Sequence, residues 1–185
     1  AFGYNSEATA MNTTAVGSYA NASGDYATAL GFKTTASNEN SIALGNYSTS
    51  AGQSSFAAGT LAKAAEKDSL AIGHSATTTK ENGIAIGTNA TVDGVDSIAI
   101  GKAANIAKAG SIVIGRNTTA DELAVSIGTD SVATGWGGTA VGTISKATGA
   151  QSTAIGDNAQ ASNTYSTALG VSSVASGRAA NAIGL

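Results

Sequence analysis

The sequence predicts an all-β fold, a β-solenoid wound from fourteen-residue coils. Three observations predict it. A short aliphatic segment closed by glycine recurs along all 185 residues, from Gly3 to Gly184. The interval between these glycines is fourteen residues, apart from one of thirteen between Gly115 and Gly128. Within each repeat, bulky and small residues alternate with the period of two that marks a strand.

Each repeat begins on its first strand. The residue before the glycine is aliphatic at Val16, Leu30, Leu44, Ile72, Ile86, Ile100, Ile114, Ile127, Val141, Ile155, Leu169 and Ile183, and Ala58 is the exception. Two before the glycine stands Ala, replaced by Val113 and Ser126 in two repeats. Three before it stand Ile, Leu, Phe, Val or Thr, with Asn181 apart. The glycine turns the chain. The second strand follows, with small residues at three and five after the glycine, such as Ala20 and Ala22 or Ala159 and Ala161. A second turn signal comes seven after the glycine, at Gly24, Asn38, Gly52, Gly94, Gly135, Gly149, Asn163 and Gly177. Gly and Asn are the residues that enter positive φ most readily, so the turn's left-handed residue is expected there. The short interval predicts a trimmed turn near Asp121 and Glu122. A helix is disfavoured, because glycine would interrupt every second turn. Two strands and two turns make one coil, and stacked coils pair as parallel strands about 4.8 Å apart.

Composition agrees with so thin a fold. Ala (39), Gly (24), Thr (23) and Ser (22) make up more than half the chain, and aromatic residues only 5%. Large apolar side chains are too few for the thick core of an ordinary domain. Disorder fits poorly, because the net charge is only -3 and aliphatic residues return at fixed positions.

Alternation sorts the two faces of each strand. The small residues at minus four, minus two, plus three and plus five are placed inside the coil, where two strands leave room only for Ala, Ser or Thr. The aliphatic residues at minus one and minus three then point outward and form a ladder. A monomer rarely exposes an apolar patch of more than a few hundred Å², so the ladder calls for burial against another copy. The opposite assignment, Ile inside and Ala outside, is the alternative at this point.

Segments such as Ser41 to Ser48 (SIALGNYS), Ser69 to Ser75 (SLAIGHS) and Ser97 to Gly101 (SIAIG) resemble the head repeat of YadA-like trimeric autotransporter adhesins. The resemblance spans essentially the whole chain. It implies a left-handed parallel β-roll with three chains around one axis, and residues 1–185 as a single head domain. The neck, stalk and membrane anchor of that family are missing, which reads as a piece of a longer chain. It implies attachment of a Gram-negative bacterium to host extracellular matrix or host cells from the cell surface, held to the outer membrane only through the absent anchor. The twelve aliphatic residues named above would form the trimer core. The outward residues Tyr19, Lys33, Tyr47, Lys63 and Asn89 are candidates for the ligand surface. A trimeric spacer without a ligand of its own, in a surface or tail fibre, is the alternative.

No residue pattern points to catalysis, a cofactor or a metal. There is no Cys, and His74 is the one His, so neither a zinc site nor an oriented triad is expected. Asp93 with Asp96, and Asp121 with Glu122, are too few ligands for calcium and read as solvated turn charge. The glycines match no phosphate-cradling motif, and the run from Lys63 to Asp68 mixes signs. A pI near 4.9 gives no basic footprint for nucleic acid. Thr35, Thr49, Thr77, Thr91 and Thr119 form a stripe, but Lys63 and Asn105 break it, which argues against an ice-binding plane. Trp136, set among glycines, is expected to pack on a neighbouring turn or chain.

Overall fold

A computed structural model describes residues 1–184. The described residues are strands and turns, without a helix, and none is part of a helix able to cross a membrane. They fall into two compact units, Ala1–Val92 and Asp93–Leu185. Each is a parallel β-solenoid.

In the first unit, three-residue strands such as Thr28–Leu30, Ile42–Leu44 and Phe56–Ala58 form one sheet. Two-residue strands such as Thr35–Ala36, Thr49–Ser50 and Lys63–Ala64 form the other. Each residue pairs with the one fourteen positions on, as in Ile42 with Phe56 and Thr49 with Lys63. The second unit repeats the arrangement, with Ile98 beside Ile112 and Asn105 beside Thr119. Its short interval lies where the sequence places it. The turn from Asp121 to Ala124 is closed by the Ala124 N–H donating to the Asp121 carbonyl at 3.4 Å. The register closes over the lost residue, because Ile112 pairs with Val125 and Ile114 with Ile127.

The faces are as the alternation predicts. Ala15, Ala29 and Ala43 in the first unit are buried, as are Ala99, Ala140 and Ala154 in the second, while the residues flanking each point outward. Buried serines share the remaining interior positions with further Ala and Thr, and several serine hydroxyls close the turns. Ser41 Oγ donates to the Asn38 carbonyl at 2.6 Å, and Ser48 Oγ to the Gly45 carbonyl at 3.0 Å. Ser126, which stands where Ala is usual, bonds the buried Ser131 hydroxyl at 2.9 Å.

The expectation of an interior holding only Ala, Ser or Thr needs a correction. Val92, Ile106 and Val113 are fully buried. The reason is visible at Val92, where the same coil carries Gly83 in place of the usual serine. A Cβ on Gly83 would stand 3.2 Å from Val92 Cγ1. The coils of Ile106 and Val113 keep their serines, Ser97 and Ser111, so there the larger side chain is taken in without such an exchange.

The turns need a second correction. Gly24, Gly52 and Gly94 are not the left-handed residues of the second turn. That conformation belongs to the residue two positions later, Tyr26, Ser54 and Asp96, with φ between 53° and 60°. The first turn is built alike, with Tyr19, Lys33 and Tyr47 left-handed. Glycine is needed at Gly24 for clearance, since a Cβ there would lie 2.1 Å from the Asn38 backbone of the next coil.

Twenty-four non-glycine residues hold positive φ among the described residues, Leu61 and Ile144 included. Propensity does not account for them, since left-handed backbone costs most side chains about 1–2 kcal/mol. Stacking does. The left-handed Tyr19, Lys33 and Tyr47 donate their N–H groups to the carbonyls of Tyr4, Ser18 and Phe32 in the preceding coil, at 2.8 to 2.9 Å. The turns therefore form hydrogen-bonded ladders of their own, which fix their conformation whatever the side chain.

Candidate binding surface

Three surfaces leave each coil: the outside of the three-residue strands, the outside of the two-residue strands, and the turns. The first is aliphatic. In the first unit Val16 and Leu30 are exposed, and Leu44, Ile72 and Ile86 are half-buried by their ladder neighbours. In the second unit Ile100, Ile114, Ile155 and Ile183 are exposed, and Ile127, Val141 and Leu169 half-buried. Within the chain nothing but adjacent rungs covers these side chains. Ala58 is the gap in the row, and the bulky Phe56 stands two residues away on the same outward face.

The outside of the two-residue strands is mainly polar. Asn21, Thr35, Thr49, Lys63 and Thr77 follow one another in the first unit, paired coil by coil. Asn105, Thr119, Val132, Lys146 and Gln160 follow in the second. Lys63 is exposed there, in the middle of the threonine stripe.

The turns carry most of the charge and most of the aromatic residues. Lys108 lies 3.2 Å from Asp121, and Arg116 lies 3.4 Å from Asp130. Both pairs are solvent-exposed and of a kind worth at most about 1 kcal/mol. His74 is an exposed turn residue, and Asp93 and Asp96 lie in the second turn of their coil. Among the described residues no three His, Cys, Asp or Glu side chains stand close enough to share a metal.

Of the five candidate ligand residues, the structure brings three together. Tyr19, Lys33 and Tyr47 lie on the first turn of successive coils, and Lys63 and Asn89 stand apart from them. Two further residues, Tyr4 and Phe32, complete the group. Its four rings form an edge-to-face ladder. Centroids are 5.5 Å apart from Tyr4 to Tyr19, 6.2 Å from Tyr19 to Phe32 and 5.4 Å from Phe32 to Tyr47. The Lys33 ammonium sits among them, 5.3 Å from the Phe32 centroid, 5.5 Å from Tyr47 and 5.8 Å from Tyr19. These are cation–π distances. The rings stay 36–69% exposed. Tyr4 and Phe32 were legible in the sequence as aromatic residues one position after the glycine, in the first four repeats alone. Trp136, expected to be packed against a neighbour, is 47% exposed on its turn.

A family model described as the YadA head domain repeat (2 copies) matches residues 1–20, 22–48, 50–76, 79–104, 137–159, 147–173 and 161–184. No curated protein matches the chain. A solved structure, the collagen-binding domain of the Yersinia adhesin YadA, is similar at 24% identity over 80% of this chain and 68% of that one, with a TM-score of 0.45. At that score the likeness carries no argument about this chain.

Proposed function

The chain belongs to the YadA head domain repeat family, and on that premise we propose that it is the head of a homotrimeric adhesin on the surface of a Gram-negative bacterium. It attaches to host extracellular matrix proteins or to host cells. Heads of this family act by binding rather than by catalysis. The observation that carries the reading is the outward aliphatic ladder in each unit, a surface that water contacts only at a cost of about 25 cal/mol per Å². Threefold assembly around the ladder removes it from water and leaves the polar strand face and the turns outside.

That division of surfaces sets the mechanism. The interior is filled by Ala, Ser and Thr, with Val92, Ile106 and Val113 among them, so no small-molecule pocket is expected to open into the coil. Binding has to use the outer faces, and three chains present each outer feature many times. Weak contacts then combine, and avidity exceeds a single contact by about 10²–10⁴. A repetitive partner such as a matrix fibre suits this surface. Tyr19, Lys33, Tyr47, Lys63 and Asn89 are the outward contacts proposed for it.

The test is adhesion of the isolated protein to immobilised collagen, fibronectin and laminin. At least one of these should retain it. Removing whole fourteen-residue coils from the second unit should weaken retention step by step, while Lys63→Ala and Asn89→Ala each weaken it slightly. Retention on none of the three would favour the spacer reading and overturn the proposed attachment to matrix.

A further inference from the structure

We propose that the ladder of Tyr4, Tyr19, Phe32 and Tyr47, with Lys33 at its centre, is a discrete platform for an oligosaccharide. This goes beyond matrix attachment by distributed contacts, and it assigns one place on the head and one ligand chemistry to it.

Four of the nine aromatic residues in the chain stand on four successive turns, in side-by-side contact. The later first turns carry no Phe, Tyr or Trp at these two positions; the next three have Thr60 and Leu61, His74 and Ser75, and Thr88 and Asn89. Nothing in the fold requires rings at these positions, because the turn backbone is held by inter-coil hydrogen bonds whatever the side chain. The cluster leaves its rings partly exposed to water, and such concentration is typical of binding sites rather than of bare surface.

The chemistry beside the rings selects the ligand. A cleft next to Tyr19 is lined by Asn5, Ser6, Glu7 and Asn21, so amides, a hydroxyl and a carboxylate surround one ring. Asn21 Oδ1 is buried without a hydrogen-bond partner. The site thus suits a ligand with an apolar face for the exposed rings and donors for the exposed Glu7 carboxylate and the Asn21 amide in the cleft wall. A pyranose supplies both, with C–H bonds on its apolar face for the negative face of a ring and hydroxyl donors at its rim. A proline-rich peptide stacks on aromatic rings as well, but it brings few N–H donors to the carboxylate and the amide. A purely apolar partner would have to strip water from Lys33 and Glu7 without replacing it. Four rungs rise about 15 Å along the stack, the length of a short oligosaccharide rather than of one sugar. Lys33 adds a cation for a carboxylate on an acidic sugar.

The experiment applies the protein, in its native assembly state, to a printed array of defined mammalian oligosaccharides. At least one glycan should retain it. Phe32→Ala with Tyr47→Ala should lower that signal about tenfold or more, as removal of aromatic anchors does. Lys33→Gln, which leaves every ring in place, should lower it for acidic glycans and leave neutral ones bound. Trp136→Ala should change nothing. Thermal unfolding and molecular mass of each variant are measured alongside. The inference is overturned if no glycan binds, or if the Lys33 and ring variants bind as the parent does. It is also overturned if the ring variant changes the mass, since the ladder would then be a contact between copies. Adhesion to matrix proteins can persist through each of these failures, so the two readings fall separately.

Discussion

Ile100→Asp is expected to dissociate the assembly into single chains. Ile100 lies on the outward aliphatic face of the second unit, beside Ile114, and is exposed within its own chain. In a trimer built on that face the substitution buries three carboxylates close to one another. An unpaired buried charge costs several kcal/mol, and here each copy adds repulsion from the other two. Within the chain the change is mild, because the side chain leaves the coil rather than entering it. Thr91→Asp is the matched control. Thr91 points out of the polar strand paired with Thr77, and its replacement should leave the mass unchanged. Sedimentation of both variants decides the matter. Loss of assembly with Thr91→Asp but not with Ile100→Asp would reverse the assignment of the faces.

The second large effect is expected at the glycine that ends each first strand. Gly142 has φ of 132°, a conformation that side chains rarely adopt, and a Cβ on it would stand 2.4 Å from the Gly156 carbonyl oxygen of the next coil. Both partners are backbone, so neither can swing aside. Strain of about 1–3 kcal/mol in the dihedral adds to the clash, and Gly142→Ala should lose more than about 3 kcal/mol of unfolding free energy in a denaturant titration. Gly177→Ala provides the contrast. Its Cβ would meet only the Ala180 side chain, at 3.5 Å, and its φ lies outside the left-handed range. That change should be neutral, or stabilise by about 0.4–1 kcal/mol by restricting the unfolded chain. Equal stability of Gly142→Ala and the parent would show that the coils can separate at this turn without penalty.

The glycines also mark where sequence reading reached its limit. Strand positions, coil length and the choice of faces were legible, because alternation within one strand is a local pattern. The trimmed turn at Asp121 and Glu122 was legible for the same reason, as a missing residue in a fixed period. The left-handed residues were misplaced by two positions. The signal was present, since Asn5, Asn89, Asn117 and Asn158 recur two after the glycine and Asn12, Asn40 and Asn82 nine after it. It was masked by Tyr, Lys, Leu and Ile at the same sites in other coils, which tolerate the conformation because stacking imposes it. The clearance at Gly24 and Gly52 depends on the backbone of the following coil, fourteen residues away, and Asn38 and Glu66 fill that place in alternation. Val92 is a similar case, since its contact with the Gly83 position appears only in the folded coil. The aromatic ladder was half legible. Tyr19, Lys33 and Tyr47 share one repeat position, and Tyr4 and Phe32 occupy the adjacent one, so their contact appears only when the turns are stacked.

The central claim is that the aliphatic face of this chain is an interface between copies. The measurement that tests it most directly is the mass of the unmodified protein in solution, by light scattering at micromolar concentration. The expected result is a single species of three chains, each of 17.8 kDa, persisting on dilution. A stable, soluble single chain at that concentration, with its isoleucines, leucines and valines left in water, would contradict it.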